Sequence, residues 1–218
     1  MKQVIGFLHD LRNNNDRGWF ARHKDRYEEA RARVLDFAGK LIPGLAAMDP
    51  FLGVPESADC LFRIYRDVRF SGDKSPYKTH FGVYMSKGGR KSIYAGYYLH
   101  IEPGSSMLAG GIYQPSPEIL KKIRTEVYFD AASFKKILAS PAFVKYFHAL
   151  DEDRLSRPPK DFPPDFPDIE LLKYRSYTIL HLVPDKKAVS GQFHAYCLEV
   201  FREMVPFNNF LNRAIIGT

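Results

Sequence analysis

Gly96-Tyr97-Tyr98-Leu99-His100-Ile101-Glu102-Pro103-Gly104-Ser105-Ser106-Met107-Leu108-Ala109-Gly110-Gly111-Ile112-Tyr113 is the stretch whose reading decides the fold. Tyr97, Leu99 and Ile101 alternate with Tyr98 and His100, the period of two that sends successive side chains to opposite faces of a sheet. Pro103-Gly104 supplies a turn, and Met107–Tyr113 follows as a second run. A connection this short joins antiparallel neighbours.

Working upstream, His80–Ser86 places Phe81, Val83 and Met85 on one side, with Gly88-Gly89 as the next turn. Leu61–Asp67 also alternates, with Phe62 and Ile64 on one face and Arg63 and Tyr65 on the other. These four runs predict a meander, a usual sheet size. Downstream, Ser176–Val183 reads as one further strand.

Helical periods flank this middle. Val4, Phe7, Leu8 and Leu11 mark a short amphipathic segment ending at Asn13-Asn14-Asn15. Asp16 is placed to cap a long helix carrying Trp19, Phe20, Tyr27, Ala30, Val34, Phe37 and Leu41, which Pro43-Gly44 should stop. His23, at the edge of that stripe, reads as a packed histidine. After the sheet, Ser116-Pro117 and Ser140-Pro141 each pair a cap with proline at the first helical position, and Asp130 caps a helix between them. The proline-rich acidic stretch from Arg157 to Asp168 reads as a surface loop. A helix starting near Ser190 carries Phe193, Cys197, Val200 and Met204, and Pro206 opens a last one. Helices, then strands, then helices specify an α+β fold: a single domain over 1–218, with a central, mainly antiparallel sheet flanked by N-terminal and C-terminal helices.

The formal net charge is +7, and residues 59–100 hold most of it, with eight Lys/Arg against three acids. A local excess of this kind attracts phosphates, carboxylates and nucleic-acid backbones, or simply forms a solvated basic face. Cys60 and Cys197 stand far apart and read as small core residues, with no disulfide or zinc framework. The N-terminal residues lack an uninterrupted apolar run, and no stretch approaches a membrane span. The expectation is a cytoplasmic protein without a membrane partner.

The charge is densest in Arg63-Ile64-Tyr65-Arg66-Asp67-Val68-Arg69-Phe70-Ser71-Gly72-Asp73-Lys74-Ser75-Pro76-Tyr77-Lys78-Thr79-His80. If the strand persists, Arg66 falls on the apolar side with Phe62 and Ile64, where a guanidinium must be paired or must bind an anion. Asp67 and Asp73 are its candidate partners. Arg63, Arg66 and Arg69 suit bidentate grip of phosphate or carboxylate, and Lys74 or Lys78 supplies a movable point charge. Tyr77, His80 and His100 are candidates for proton transfer, Asp67 for orienting an arginine, and Tyr98 shares a face with His100. Glu102 extends that face.

On Arg63, Arg66, Asp67, Arg69, Phe70, Asp73, Lys74 and Tyr77 the chain resembles a bacterial family of uncharacterised proteins, domain of unknown function 2461 (DUF2461). The resemblance extends to the Asn-rich entry before Trp19-Phe20 and to the Gly96–His100 strand, and so to nearly the whole chain. It implies no activity.

Two readings of the motif stand side by side. One is an ion-pair lattice fixing the turn, with Arg66–Asp67 and Lys74–Asp73 as pairs. The other is an anion site, with Arg63, Arg66, Arg69, Asp73, Lys74 and Tyr98 as ligand-binding residues and Asp67, Tyr77, His80 and His100 as catalytic ones. The sequence carries no phosphate-cradling glycine loop, dinucleotide fingerprint, nucleophile elbow or HExxH spacing. No cofactor is therefore expected, and His148, His181 and His194 are too scattered to suggest a metal. The favoured partner is an anionic small molecule met by an enzyme or binding protein. The alternative is a nucleic-acid or protein-interaction module, with Tyr65, Tyr84 or Tyr98 as stacking platforms for bases. The sequence does not specify an oligomeric state.

Overall fold

Register is the first thing the sheet fixes. In the computed structural model, which describes residues 1–150 and 153–217, strands β1 (Phe81–Met85), β2 (Gly96–Ile101), β3 (Ser106–Ile112) and β4 (Tyr177–Val183) pair in that order, each antiparallel to the next. Val83 lies opposite Leu99, which lies opposite Leu108, so the expected alternation delivers one continuous apolar face. Gly82, His100 and Met107 form a row on the reverse face, as do Tyr84, Tyr98 and Ala109.

The apolar face is covered by the C-terminal helix α9 (Phe193–Ile216), which buries Val200, Phe201, Met204, Phe207 and Leu211. Two buried asparagines one turn apart on α9 serve the entry of β2, where the ladder leaves backbone groups unpaired. Asn208 Nδ2 donates to the Gly96 carbonyl at 3.0 Å, and Asn212 Oδ1 accepts from Ala95 N–H at 2.8 Å. Tyr97, fully buried beneath the sheet, donates its hydroxyl to Asp49 Oδ2 at 2.8 Å.

The N-terminal region forms α1 (Lys2–Asn13), α2 (Arg17–Arg22) and α3 (Lys24–Met48), followed by the single turn α4 (Ser57–Cys60). Asp16 caps a helix as expected, accepting from Trp19 N–H at 2.8 Å, but that helix is the short α2. The chain leaves helical geometry at His23, whose ring stacks on Trp19 with 4.2 Å between centroids, and restarts as α3. Pro43-Gly44 does not stop α3. Leu41, Ile42 and Leu45 stay buried across it, and Gly44 is a close-approach point: a Cβ there would lie 2.9 Å from Leu198 of α9. The proline's missing hydrogen bond costs about 3 kcal/mol, less than the apolar stripe regains. Pro206 is likewise internal to α9, flanked by buried Met204 and Phe207.

The helices α5 (Pro117–Phe129), α6 (Ala131–Leu138) and α7 (Pro141–Tyr146) start where their caps place them. Ser116, Asp130 and Ser140 each accept from the backbone N–H three residues on, at 3.4, 3.3 and 3.3 Å. A short helix, α8 (Asp185–Ala188), precedes α9, which starts at Phe193 rather than Ser190. The Arg157–Asp168 stretch is irregular and packs Phe162 and Phe166 against Tyr128.

Leu61–Asp67 is not a strand. It makes isolated bridges, Leu61 to Val83 and Tyr65 to Tyr77, and the fourth strand of the sheet is β4 instead. Phe62 N–H reaches the Gly82 carbonyl at 2.9 Å, after which the segment turns away and pairs with its own return arm. Arg66 N–H donates to Pro76 O at 2.9 Å and Lys78 N–H to Ile64 O at 2.8 Å. Pro76 has no N–H to give back, so the ladder cannot propagate. The alternation nevertheless survives: Arg63, Tyr65 and Asp67 are exposed, whereas Ile64 is buried and Phe62 and Arg66 are partly buried.

Candidate functional site

The segment 61–80 folds over the reverse face of β1 and β2. Phe62 packs edge-on against Tyr98 with 6.4 Å between ring centroids, and His80 lies on His100 at 4.2 Å. Its return arm is anchored to the N-terminal helices. Asn15 binds both backbone groups of Tyr77, and the Tyr77 ring stacks on Phe20 at 3.9 Å and 13°. Between the arm and α1 opens a cavity of about 470 Å³, lined by Arg12, Asn15, Arg66, Asp73, Ser75, Tyr77, Lys78, Thr79 and His80.

Five of the residues singled out in the sequence therefore meet at one cavity: Arg66, Asp73, Tyr77, Lys78 and His80. Arg66 pairs with Asp73, not Asp67, and its other terminal nitrogen lies 3.3 Å from Ser71 Oγ. Asp73 also accepts from the backbone and hydroxyl of Ser75 at 2.9 and 2.7 Å, which with Arg66 holds its carboxyl well below the usual carboxylate range. Asp67 and Arg69 form a bidentate pair with each other at 3.0 and 2.7 Å, open to solvent and away from the cavity lining. Lys74 donates to the Val68 carbonyl at 3.0 Å, closing the loop on itself. Arg63, Asp67, Arg69 and Lys74 do not line the cavity.

Tyr98 and His100 sit beside the cavity, in a hydrogen-bonded chain on the sheet. His100 is 7% exposed, and the Tyr98 hydroxyl lies 3.1 Å from its Nδ1. His100 Nε2 is 3.0 Å from Glu102 Oε2. A proton on Nε2 satisfies both contacts, with His100 donating to the carboxylate and accepting from the phenol. Gly82 makes room for this arrangement, since a Cβ there would meet the Tyr98 hydroxyl at 2.5 Å. The other carboxylate oxygen of Glu102 accepts from Thr79 Oγ1 at 2.7 Å and from Arg12 at 3.1 Å. Chain and cavity thus share a wall, through Arg12, Thr79 and His80.

Burial sets the ionisation of these groups. It pushes the Tyr98 phenol up to about 12, with Glu102 adding to the effect. It pushes the His80 imidazole down to about 4, reinforced by neighbouring His100. It also pulls the Lys78 ammonium below the ordinary lysine value, helped by Arg63. Burial works against ionisation of Glu102 too, yet hydrogen bonds from His100 and Thr79 leave its carboxyl below the ordinary value.

The sequence did not single out Arg12, Asn15 or Thr79, which reach the cavity through the packing of α1 and the return arm. His80, His100 and Glu102 carry ligand-type atoms within 4.8 Å of one another, a juxtaposition made across strands that no local spacing announces. Of the tyrosines considered for stacking, Tyr84 turns inward, its hydroxyl donating to the Tyr94 and Gly111 carbonyls at 2.8 and 2.9 Å. Tyr98 is engaged with His100, and Tyr65 is half exposed. Clefts of about 450 and 400 Å³ beside the proline-rich loop have several of their charges paired, Lys121 with Asp161 at 3.1 Å and Arg175 with Asp153 at 3.4 Å. Among the described residues, no helix is long and apolar enough to cross a membrane.

Comparison with curated proteins finds no match, and comparison with solved structures finds none either. A family model described as conserved hypothetical protein (DUF2461) matches residues 3–210, a span that takes in α1, the Arg63–His80 arm, the sheet and most of α9. The resemblance first carried by the Arg63–Tyr77 motif therefore extends over almost the entire 218-residue chain, which belongs to the DUF2461 family.

Proposed function

We propose that the cavity between α1 and the 61–80 arm binds a small anionic molecule bearing phosphate or carboxylate, as a binding protein or as an enzyme. One observation carries this reading. Lys78 is a half-buried cation in the cavity wall with no carboxylate partner among the described residues, its ammonium lying 5.5 Å from the Phe62 ring centroid. A cation withdrawn from water without a counter-charge is held at a cost unless an anion joins it. Of the wall's cations, Arg66 is paired with Asp73 and Arg12 with Glu102 beside the wall, which leaves Lys78 uncompensated, so the missing charge is negative. Asn15, Ser75 and Thr79 add polar groups for orienting a ligand.

Isothermal titration of the full chain with inorganic phosphate, pyrophosphate and citrate tests this, with Lys78→Met alongside. Methionine keeps the packing of the lysine stem and removes only the charge. Saturable binding is expected for at least one of the three, weakened about tenfold or more in the variant at unchanged melting temperature. Absence of saturable binding by all three, or equal affinity in Lys78→Met, overturns the reading.

Phe70 favours a second reading, binding of single-stranded nucleic acid. It is 95% exposed on the loop beyond Asp67, with the Arg69 guanidinium 5.8 Å from its centroid, a ring and cation open to stacking on a base. Such binding would fall steeply with salt and depend on Phe70 rather than Lys78. RNA affinity that survives Phe70→Ala removes it.

A further inference from the structure

We infer that His80, His100 and Glu102 form a binding site for a divalent first-row transition metal beside the same cavity, with His80 in the shared wall. The inference deepens the anion reading by naming what would sit beneath the anion, and rests on that reading only for the ion's outward-facing positions.

The site follows from register. Gly82 pairs with His100 and Phe81 with Ile101, so His80, one residue before β1, falls beside Glu102. Side chains two apart on a strand share a face, which puts His100, Glu102 and His80 on the same side of the sheet. Their donor atoms lie within 4.8 Å of one another. His100 Nε2 and Glu102 Oε2 are already 3.0 Å apart. Metal–ligand bonds of about 2.1 Å put adjacent ligands about 3.0 Å apart in an octahedron and about 3.4 Å in a tetrahedron. A small rotation of the His80 ring closes the remainder. That ring makes no hydrogen bond among the described residues that would oppose the rotation, and it lies against His100.

The surrounding groups already do what outer partners of metal ligands do. Thr79 and Arg12 hold Glu102 Oε1, leaving Oε2 to face His100. With a metal on Nε2, the His100 proton moves to Nδ1 and is donated to the Tyr98 oxygen, 3.1 Å away. Tyr98 needs only to turn its own hydrogen aside. Two imidazoles and one carboxylate form a borderline set, suited to zinc, manganese or iron and poorly suited to magnesium or calcium, which take oxygen ligands. Three protein ligands also leave coordination positions open. Because His80 and Thr79 line the cavity, those positions face Arg12, Arg66 and Lys78, where an oxygen of a bound anion would complete the shell.

The test is calorimetry on the full chain, stripped with EDTA and dialysed, then titrated separately with zinc, manganese and magnesium chloride. A single equivalent of zinc or manganese should bind and raise the melting temperature, while magnesium should do neither. His80→Gln should weaken that binding by more than about tenfold without unfolding the protein, since His80 makes no hydrogen bond among the described residues, and Glu102→Gln should weaken it likewise. Lys78→Met removes a positive charge facing the ion and so should not weaken metal binding, although it should weaken phosphate binding, and that contrast separates this site from the anion reading. Lys78-dependent phosphate binding with no stoichiometric metal overturns the metal site alone. A His80→Gln variant that titrates like the parent overturns it as well, and leaves His100–Glu102 as a hydrogen-bonded pair.

Discussion

The side chain of Asn15 takes the place of a β-strand partner for Tyr77: its Oδ1 accepts from Tyr77 N–H at 3.1 Å and its Nδ2 donates to Tyr77 O at 2.9 Å. Sixty-two positions separate the two residues in sequence, and this pair of hydrogen bonds is how the link between α1 and α2 fixes the arm that walls the cavity. Asn15→Asp keeps the acceptor but sets a carboxylate oxygen against the Tyr77 carbonyl. It should cost roughly 1–3 kcal/mol in urea unfolding. Phosphate affinity should weaken with it, because the lining residues Ser75 to His80 would no longer be anchored. A variant as stable as the parent would show that the Phe20–Tyr77 stack alone holds the arm.

Tyr97→Phe tests a fully buried polar contact. Asp49 is 2% exposed, and Tyr97 is its hydroxyl donor at 2.8 Å, while Phe51 N–H reaches its other oxygen at 3.2 Å. Removing the phenol hydroxyl leaves a buried carboxylate oxygen short of a partner, with an expected loss of roughly 1–3 kcal/mol. Adding Asp49→Asn to the Tyr97→Phe variant should recover part of it by removing the charge. No recovery would mean that the loss comes from packing of the ring.

What the sequence made legible here were features set by short-range chemistry. The Gly96–Tyr113 alternation, the Ser116, Asp130 and Ser140 caps and the buried stripes all appear where local rules put them, because period and capping depend on neighbours a few residues away. Pro43 and Pro206 misled because the local penalty of proline in a helix is outweighed by burial against distant partners such as Leu198, which no local window contains. The site divides in the same way. Charges dense in sequence, such as Asp67 with Arg69, turned to one another, whereas the cavity wall draws Arg12 from α1 and Asn15 from the link between α1 and α2, and His80 meets His100 across a strand pair beside it.

Gly82→Ala probes the space on which the Tyr98–His100 contact depends. The added Cβ would lie 2.5 Å from the Tyr98 hydroxyl and 3.0 Å from its ring, so the ring must be displaced. Overpacking of this kind costs roughly 1–3 kcal/mol. In a Tyr98→Ala background the same substitution meets no ring and should cost much less. The double-mutant cycle then gives a clear non-additive coupling between the two positions. Strict additivity would show that Gly82 is needed for its backbone alone.

Cys60 and Cys197 should be inert to thiol reagents while the protein is folded. Both are fully buried; burial pushes the Cys60 thiol up to about 11, and that of Cys197 rises as well for the same reason. The thiolate is the reacting form, so at pH 8 almost none is present at either position. Ellman's reagent should release no colour from native protein and two equivalents after denaturation in guanidinium. Rapid reaction of one native thiol would place that cysteine in a region that opens readily.

Asp73→Asn distinguishes a ligand-binding Arg66 from one that only shapes the loop. Arg66 lines the cavity, yet its guanidinium is paired with Asp73 and lies close to Ser71. Ser75 holds Asp73 through two hydrogen bonds, at 2.9 Å from its backbone and 2.7 Å from its hydroxyl, and an asparagine oxygen can keep both. The substitution therefore preserves the turn while removing the carboxylate that competes with an incoming anion for Arg66. If Arg66 grips the ligand, Asp73→Asn should tighten phosphate binding several-fold, and Arg66→Ala should abolish that gain in the double variant. Asp67→Asn, whose solvent-facing pair with Arg69 lies away from the cavity lining, should change neither affinity nor melting temperature. Weaker binding in Asp73→Asn would assign the Arg66–Asp73 pair to the loop's own architecture and leave Arg12 and Lys78 as the cations that meet the anion.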